Sequence, residues 1–154
     1  MSSELPVGLG RRHAGIMLRL AYEAFTAALF KRLAEQGFDD LRPAHAQVFQ
    51  HLKQDGVRLT QLARAAGVTP QSMSSLVDDL ERLGYTYRAQ DPRDRRAALI
   101  HPTDRGRAEV RAARHVIAEL ERTWANTVGQ ERFAALLDDL TALHDVLGEA
   151  DTND

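Results

Sequence analysis

The stretch LTQLARAAGVTPQSMSSLVD, residues 59–78, decides how the rest of the chain is read. Ala63 stands four positions before Gly67, and apolar Leu62, Val68, Met73 and Leu76 surround them. A small residue lets two helices cross closely, a glycine accepts the positive φ of a tight turn, and the apolar positions lock the second helix onto the first. Thr69-Pro70 adds an N-cap followed by proline at the first helical position, where the missing N–H costs nothing. These offsets predict a helix-turn-helix, its second helix stopped by Gly84. An ordinary helical hairpin in a core would explain the apolar residues and the glycine; the outer side of the second helix weakens that reading, although any solvated helix start can also carry a row of serines. Its opening turns carry Thr69, Pro70, Gln71, Ser72, Ser74 and Ser75, mostly short hydrogen-bonding groups that can approach base edges or phosphates, while Asp78, Asp79 and Glu81 come only later. Gln71, able to pair bidentately with adenine, is the best single candidate.

The segment that follows points the same way. Tyr85–Gln90 is β-rich and Ala97–His101 reads as a return strand, so Asp91 to Arg96, DPRDRR, is expected as the tip of a hairpin. An arginine-bearing hairpin after a helix-turn-helix is a wing. Arg93, Arg95 and Arg96 can reach phosphates or a narrow minor groove while the helix occupies the neighbouring major groove. The aspartates would repel DNA if they faced it. Asp94 is therefore expected to pair within the loop, with Arg96, and Asp91-Pro92 to shape the turn. A merely solvated charged turn is the rival reading.

Working outward, residues 11–36 repeat apolar side chains at Leu18, Tyr22, Phe25, Leu29 and Leu33, an amphipathic helix ended by Gly37. A short helix is expected after Pro43 through Val48, Phe49 and Leu52 to the turn at residues 54–56. Pro102-Thr103 opens a long helix with a seam at Val110, Ala113, Ile117, Leu120 and Trp124. A last helix carries Phe133, Leu136, Leu137, Leu140, Leu143 and Leu147 and is expected to end at Gly148. The fold class is mostly α with a small β-hairpin, that is, a winged helix-turn-helix lobe (42–102) flanked by long dimerisation helices (11–41 and 103–148). Flexible ends are expected at 1–10 and 149–154.

The 154 residues carry a formal net charge of −2, which hides an asymmetry. Residues 42–107 hold eleven Lys/Arg against seven Asp/Glu, whereas residues 108–154 hold four against ten. Seven arginines fall between Arg82 and Arg107, which concentrates positive potential near the hairpin. The absence of cysteine removes disulfides and thiolate metal sites and suits a reducing cytoplasm. Arg19 and Glu23 interrupt the apolar run at 14–30, so neither a signal peptide nor a membrane span fits. The six histidines (13, 45, 51, 101, 115 and 144) include no i, i+4 pair, and no metal site is expected. No nucleophile elbow, phosphate-cradling loop or acid/base pair is found, so neither a catalytic residue nor a cofactor is expected.

The run from RLTQLARAAGVTPQSMSSLVDDLERLGY to DPRDRRAALIHPTDRGR resembles the winged-helix core of the MarR family of bacterial transcription regulators, over about residues 42–107. The family's wing has this D-x-R-D-x-R character and is followed by a threonine that starts a long helix. The chain departs from the family in having serines where a basic residue often stands in the recognition helix, and Tyr85-Thr86-Tyr87 where a Leu-Val pair often opens the wing. The resemblance implies a cytoplasmic bacterial homodimer whose terminal helices intertwine and whose two lobes read a pseudo-palindromic operator in double-stranded DNA. It also implies a repressor released by a small aromatic or anionic ligand in the crevice between dimer helices and lobe, with Tyr22, His45 and Trp124 as candidates to line it. The alternatives are a winged-helix module that binds protein, or a small-molecule or metal carrier. A shift of the DNA adjoining its own gene separates these from a regulator.

Overall fold

A computed structural model of the chain describes residues 13–150, with side chains through Val146. The elements are α1 (Ala14–Glu35), a 3-10 turn (Pro43–His45) running into α2 (Ala46–Phe49), β1 (Val57–Arg58), α3 (Leu59–Ala66), α4 (Pro70–Arg82), β2 (Thr86–Asp91), β3 (Asp94–Pro102), α5 (Asp104–Val128) and α6 (Gln130–Ala150). The expected start at Arg11, the flexible residues 1–10 and residues 151–154 of the tail lie outside the described residues.

Three boundaries differ from expectation. α2 ends at Phe49, not Leu52, because Leu52 turns back to pack on the core while His51 N–H closes a tighter turn on the Val48 carbonyl at 3.1 Å. α6 continues through Gly148 to Ala150. A lone glycine weakens a helix by only about 1 kcal/mol, and no proline follows to stop it. The strands close the hairpin to Pro92-Arg93, so Arg95 and Arg96 stand in β3 and not at the tip. Asp91 pairs across with Asp94, and a bulge between Gln90 and Asp91 absorbs the mismatch.

The sheet is antiparallel in the order β1-β3-β2. β1 was not expected: two residues are too short to show a period, yet Val57 pairs with Ile100 and Arg58 with Leu99.

The fold divides into two compact units, one up to Ala113 and one from Arg114 onward. In the first, Leu41, Val48, Val57, Leu62, Ala63, Met73, Val77, Leu80, Tyr85 and Ile100 form one buried cluster, with Phe30, Phe38 and Phe49 packed against it. Only the C-terminal half of the α1 stripe is covered: Leu29 and Leu33 are buried, while Leu18 and Tyr22 are 44% and 57% exposed. In the second unit, the Trp124 and Phe133 rings meet at 6.5 Å, and α6 exposes Leu136, Leu137, Leu143 and Val146. The buried line of α5, which spans both units, is Gly106, Glu109, Val116, Leu120 and Ala125. Val110, Ala113, Ile117 and Trp124 are half-buried, so much of the expected seam sits one position off the covered face.

Candidate nucleic-acid interface

Gly67 takes φ 66°, the left-handed conformation the turn demands, and its N–H and that of Val68 close on Arg64 and Ala63 carbonyls at 3.2 and 3.0 Å. Thr69 caps α4 by accepting the Ser72 N–H at 3.1 Å, and its hydroxyl donates to Ser72 Oγ at 2.9 Å. Its first task is thus to start the helix. Met73, Val77 and Leu80 face the core, which turns Gln71, Ser75 and Asp78 outward at helical spacing. Thr69, Pro70, Gln71, Ser72 and Ser75 are exposed and Ser74 is half-buried on a flank. The Ser75 hydroxyl folds back on the Gln71 carbonyl at 3.3 Å.

The acids farther along α4 are matched by arginines, Arg88 and Arg42 from outside that helix and Arg82 from its own last turn. Arg88 of β2 bridges Asp78 (2.9 Å) and Glu81, while Asp79 takes Arg82 (2.7 Å) and Arg42. Hydrogen bonding to Arg82, aided by Arg42, holds the Asp79 carboxyl below its ordinary range. His45, also beside Asp79, is 1% exposed. Its Nδ1 accepts the Arg42 N–H at 3.1 Å, and its Nε2 lies 3.7 Å from Asp79 Oδ2, beyond hydrogen-bond reach. Burial, then Arg42, lowers its pKa. The structure thus makes His45 a neutral core residue; Tyr22 is exposed on α1, and Trp124 belongs to the second unit.

In the wing, Asp91 Oδ1 accepts the Arg93 N–H at 2.9 Å and Asp94 Oδ1 accepts the Arg96 N–H at 3.1 Å. Both aspartates therefore shape backbone, as an Asx turn does. Asp94 engages Arg96 through its amide, not its guanidinium as the sequence suggested. Asp91 is buried, and its Oδ2 receives Arg58 Nε at 2.9 Å and Nη2 at 2.6 Å. The Arg93 amide, then Arg58, keeps the Asp91 carboxyl below its usual range. Arg58 was missed in the sequence, where it is only an isolated cation before a helix. By contrast Arg93, Arg95 and Arg96 are exposed and form no salt bridge among the described residues.

A joint fixes the root of the wing. The Tyr85 ring is buried, its hydroxyl donates to Asp40 at 2.6 Å, and the Arg105 guanidinium lies 4.3 Å over the ring while bonding Asp40 at 2.9 Å and the Leu83 carbonyl at 2.7 Å. Thr103 N–H donates to the Tyr85 carbonyl at 2.9 Å, and the Thr103 hydroxyl caps α5 by accepting the Gly106 N–H at 3.1 Å.

This lobe has the geometry of a helix-turn-helix with an arginine wing, and residues 39–97 match the family model of MarR. The lobe of the chain is similar to the MarR family. Over 91 residues the chain is 31% identical to the uncharacterized HTH-type transcriptional regulator YkoM of Bacillus subtilis (strain 168), a match over 55% of the chain. It spans 58% of that relative's length. Its fold is similar to that of the MarR family transcription regulator SP03579 (TM-score 0.75, 19% identity, 92% of each chain). It is similar too to that of the Staphylococcus aureus MepR–DNA complex (TM-score 0.72, 23% identity, 89% of this chain and 99% of that one). Among the described residues no helix is long and apolar enough to cross a membrane, and no group of three His, Asp or Glu is placed to hold a metal.

Proposed function

We propose that this chain is a MarR-family, sequence-specific, double-stranded DNA-binding transcriptional regulator and not an enzyme. In this reading it acts in the bacterial cytoplasm as a homodimer on a pseudo-palindromic operator, as a repressor released by a small aromatic or anionic ligand. One observation carries the reading. The wing's acids are consumed by backbone amides and by Arg58, whereas its three arginines are exposed without ion-pair partners among the described residues. A solvated charged turn would pair its own charges; this one turns them apart, leaving cations for phosphate oxygens.

Support for the recognition helix is the outward Gln71 and Ser75 next to a serine-rich N-terminus, a geometry suited to major-groove base edges. Support for a dimer is the apolar surface left on α6, where Leu136, Leu137, Leu143 and Val146 are each at least 42% exposed. Two such lobes on a two-fold axis would present recognition helices about 34 Å apart, one turn of DNA. Tyr22, His45 and Trp124 are the side chains to probe for an effector. The reading is tested by gel shift and footprinting on the DNA adjoining the chain's own gene. A footprint with two-fold symmetry is expected; no shift at low salt, even non-specific, would favour a protein-binding module instead.

A further inference from the structure

Arg58 stands where β1 ends and α3 begins, and its backbone N–H is accepted by Gln61 Oε1 at 3.3 Å. Its guanidinium leaves that helix start and reaches the wing, with both Nε and Nη2 on Asp91 Oδ2 and Nη2 also 3.6 Å from Asp94 Oδ2. Asp91 is therefore shared: one oxygen closes the turn on the Arg93 amide and the other receives Arg58. Around this tie the hairpin has little packing. The β1 ladder stops at the Arg58–Leu99 pair, β2 bulges at Gln90/Asp91, and Pro92, Arg93, Arg95 and Arg96 are all exposed. A cleft of about 470 Å³ opens there, lined by Asp55, Gln61, Leu99 and Arg93 as well as the Arg58–Asp91 pair itself. Hydrogen bonds to charge, not apolar contact, hold the wing at this level.

We propose that Arg58 is a positioning residue: through Asp91 it sets the direction in which the wing arginines point, so that DNA affinity depends on it although it does not contact DNA. The proposal rests on the DNA-binding reading above. Two of its donor groups are committed to Asp91 and the same guanidinium leans toward Asp94, so the side chain faces the wing acids. A two-residue turn has few internal restraints; releasing its carboxylate anchor lets the arginines spread over many directions, and affinity falls with the fraction of chains in the competent one. An arginine meets this need better than a lysine, because the planar fork fixes an angle as well as a distance.

A thermodynamic cycle with the full chain on promoter DNA separates this role from a direct contact or a general loss of fold. Arg58→Gln is expected to weaken binding on the order of ten-fold in the wild-type background, but by less than about two-fold when Arg93→Ala, Arg95→Ala and Arg96→Ala are already present, since the residue acts only through them. Arg58→Lys should recover part of the loss. On DNA-free protein, amide exchange at residues 93–96 should quicken in Arg58→Gln while α4 stays protected. Equal losses in both backgrounds would make Arg58 a DNA contact or a lobe stabiliser, and unchanged exchange in the wing would remove the anchor; either result overturns the proposal. Failure of the wild-type chain to bind any DNA would instead strike the regulator reading, and the exchange measurement would still decide whether Arg58 anchors the turn.

Discussion

Alanine at Gly106 should invert the ordinary rule for helices. Gly106 lies in the first turn of α5, where replacing glycine by alanine normally stabilises by up to about 1 kcal/mol. Here an added Cβ would fall well inside van der Waals contact distance of the Tyr85 carbonyl oxygen, 3.2 Å from its carbonyl carbon and 3.4 Å from Pro102 Cβ. That oxygen cannot simply retreat, because it accepts the Thr103 N–H at 2.9 Å and lies 3.1 Å from the Thr103 hydroxyl. Overpacking against backbone costs about 1–3 kcal/mol. Distorting one of these hydrogen bonds adds about 1 kcal/mol. The expected outcome is a loss of roughly 1–3 kcal/mol after the propensity gain is subtracted. Urea unfolding followed by far-UV circular dichroism should show the midpoint falling by roughly 0.5–1.5 M with an unchanged slope. Gly15→Ala is the control: that position is exposed in α1 and its Cβ would meet only the His13 ring at 3.4 Å, so stability should hold or rise. If Gly106→Ala is as stable as wild type, the close approach of α5 to the root of the wing is wrong.

Three further outcomes follow from the same contacts. Thr69→Ala removes the cap of α4 and should cost about 1 kcal/mol in unfolding experiments, with weaker DNA binding than that loss alone explains if the helix start also meets phosphates. Glu109 is buried, its Oε2 has no partner among the described residues, and burial pushes its carboxyl from 4.5 up to about 7. The folded chain therefore holds this proton where the unfolded chain releases it, so stability is fully present below about pH 4.5 and declines as pH rises toward 7. Glu109→Gln should remove about 2–3 kcal/mol of that decline relative to wild type. Parallel pH profiles would refute it. His45 acts oppositely: its lowered pKa means stability is present near neutrality and falls as pH drops below 6.5, and His45→Gln should reduce that acid loss in the same titration.

The helix-turn-helix was legible because its constraints are local: Gly67, Thr69-Pro70 and the Met73–Leu80 spacing each act within a turn or two of chain. The wing was legible as a hairpin, but its tip was drawn too wide, since strand pairing at Asp91 and Asp94 depends on a bulge that no periodicity announces. Arg58 and Gly106 were hidden for a shared reason. Their roles come from partners 33 residues away at Asp91 and 21 residues away at Tyr85, and nothing in their own neighbourhoods marks them. The α1 stripe, read as one amphipathic face, divides at about Phe25, with Leu18 and Tyr22 exposed. That division is what remains for a partner chain in the proposed dimer.

The proposed hold of the wing on DNA is electrostatic, so the salt dependence of binding tests it most directly. Binding of wild type and of the Arg93→Ala, Arg95→Ala, Arg96→Ala variant to the chain's own promoter should be titrated across a series of salt concentrations. Each phosphate contact contributes about 0.9 to the slope of log K against log salt, so losing one or two per wing in a dimer should flatten the slope by about 2–4 and lower affinity most at low salt. Two superimposable lines would contradict the account, because exposed arginines that release no counterions on binding are not on the DNA.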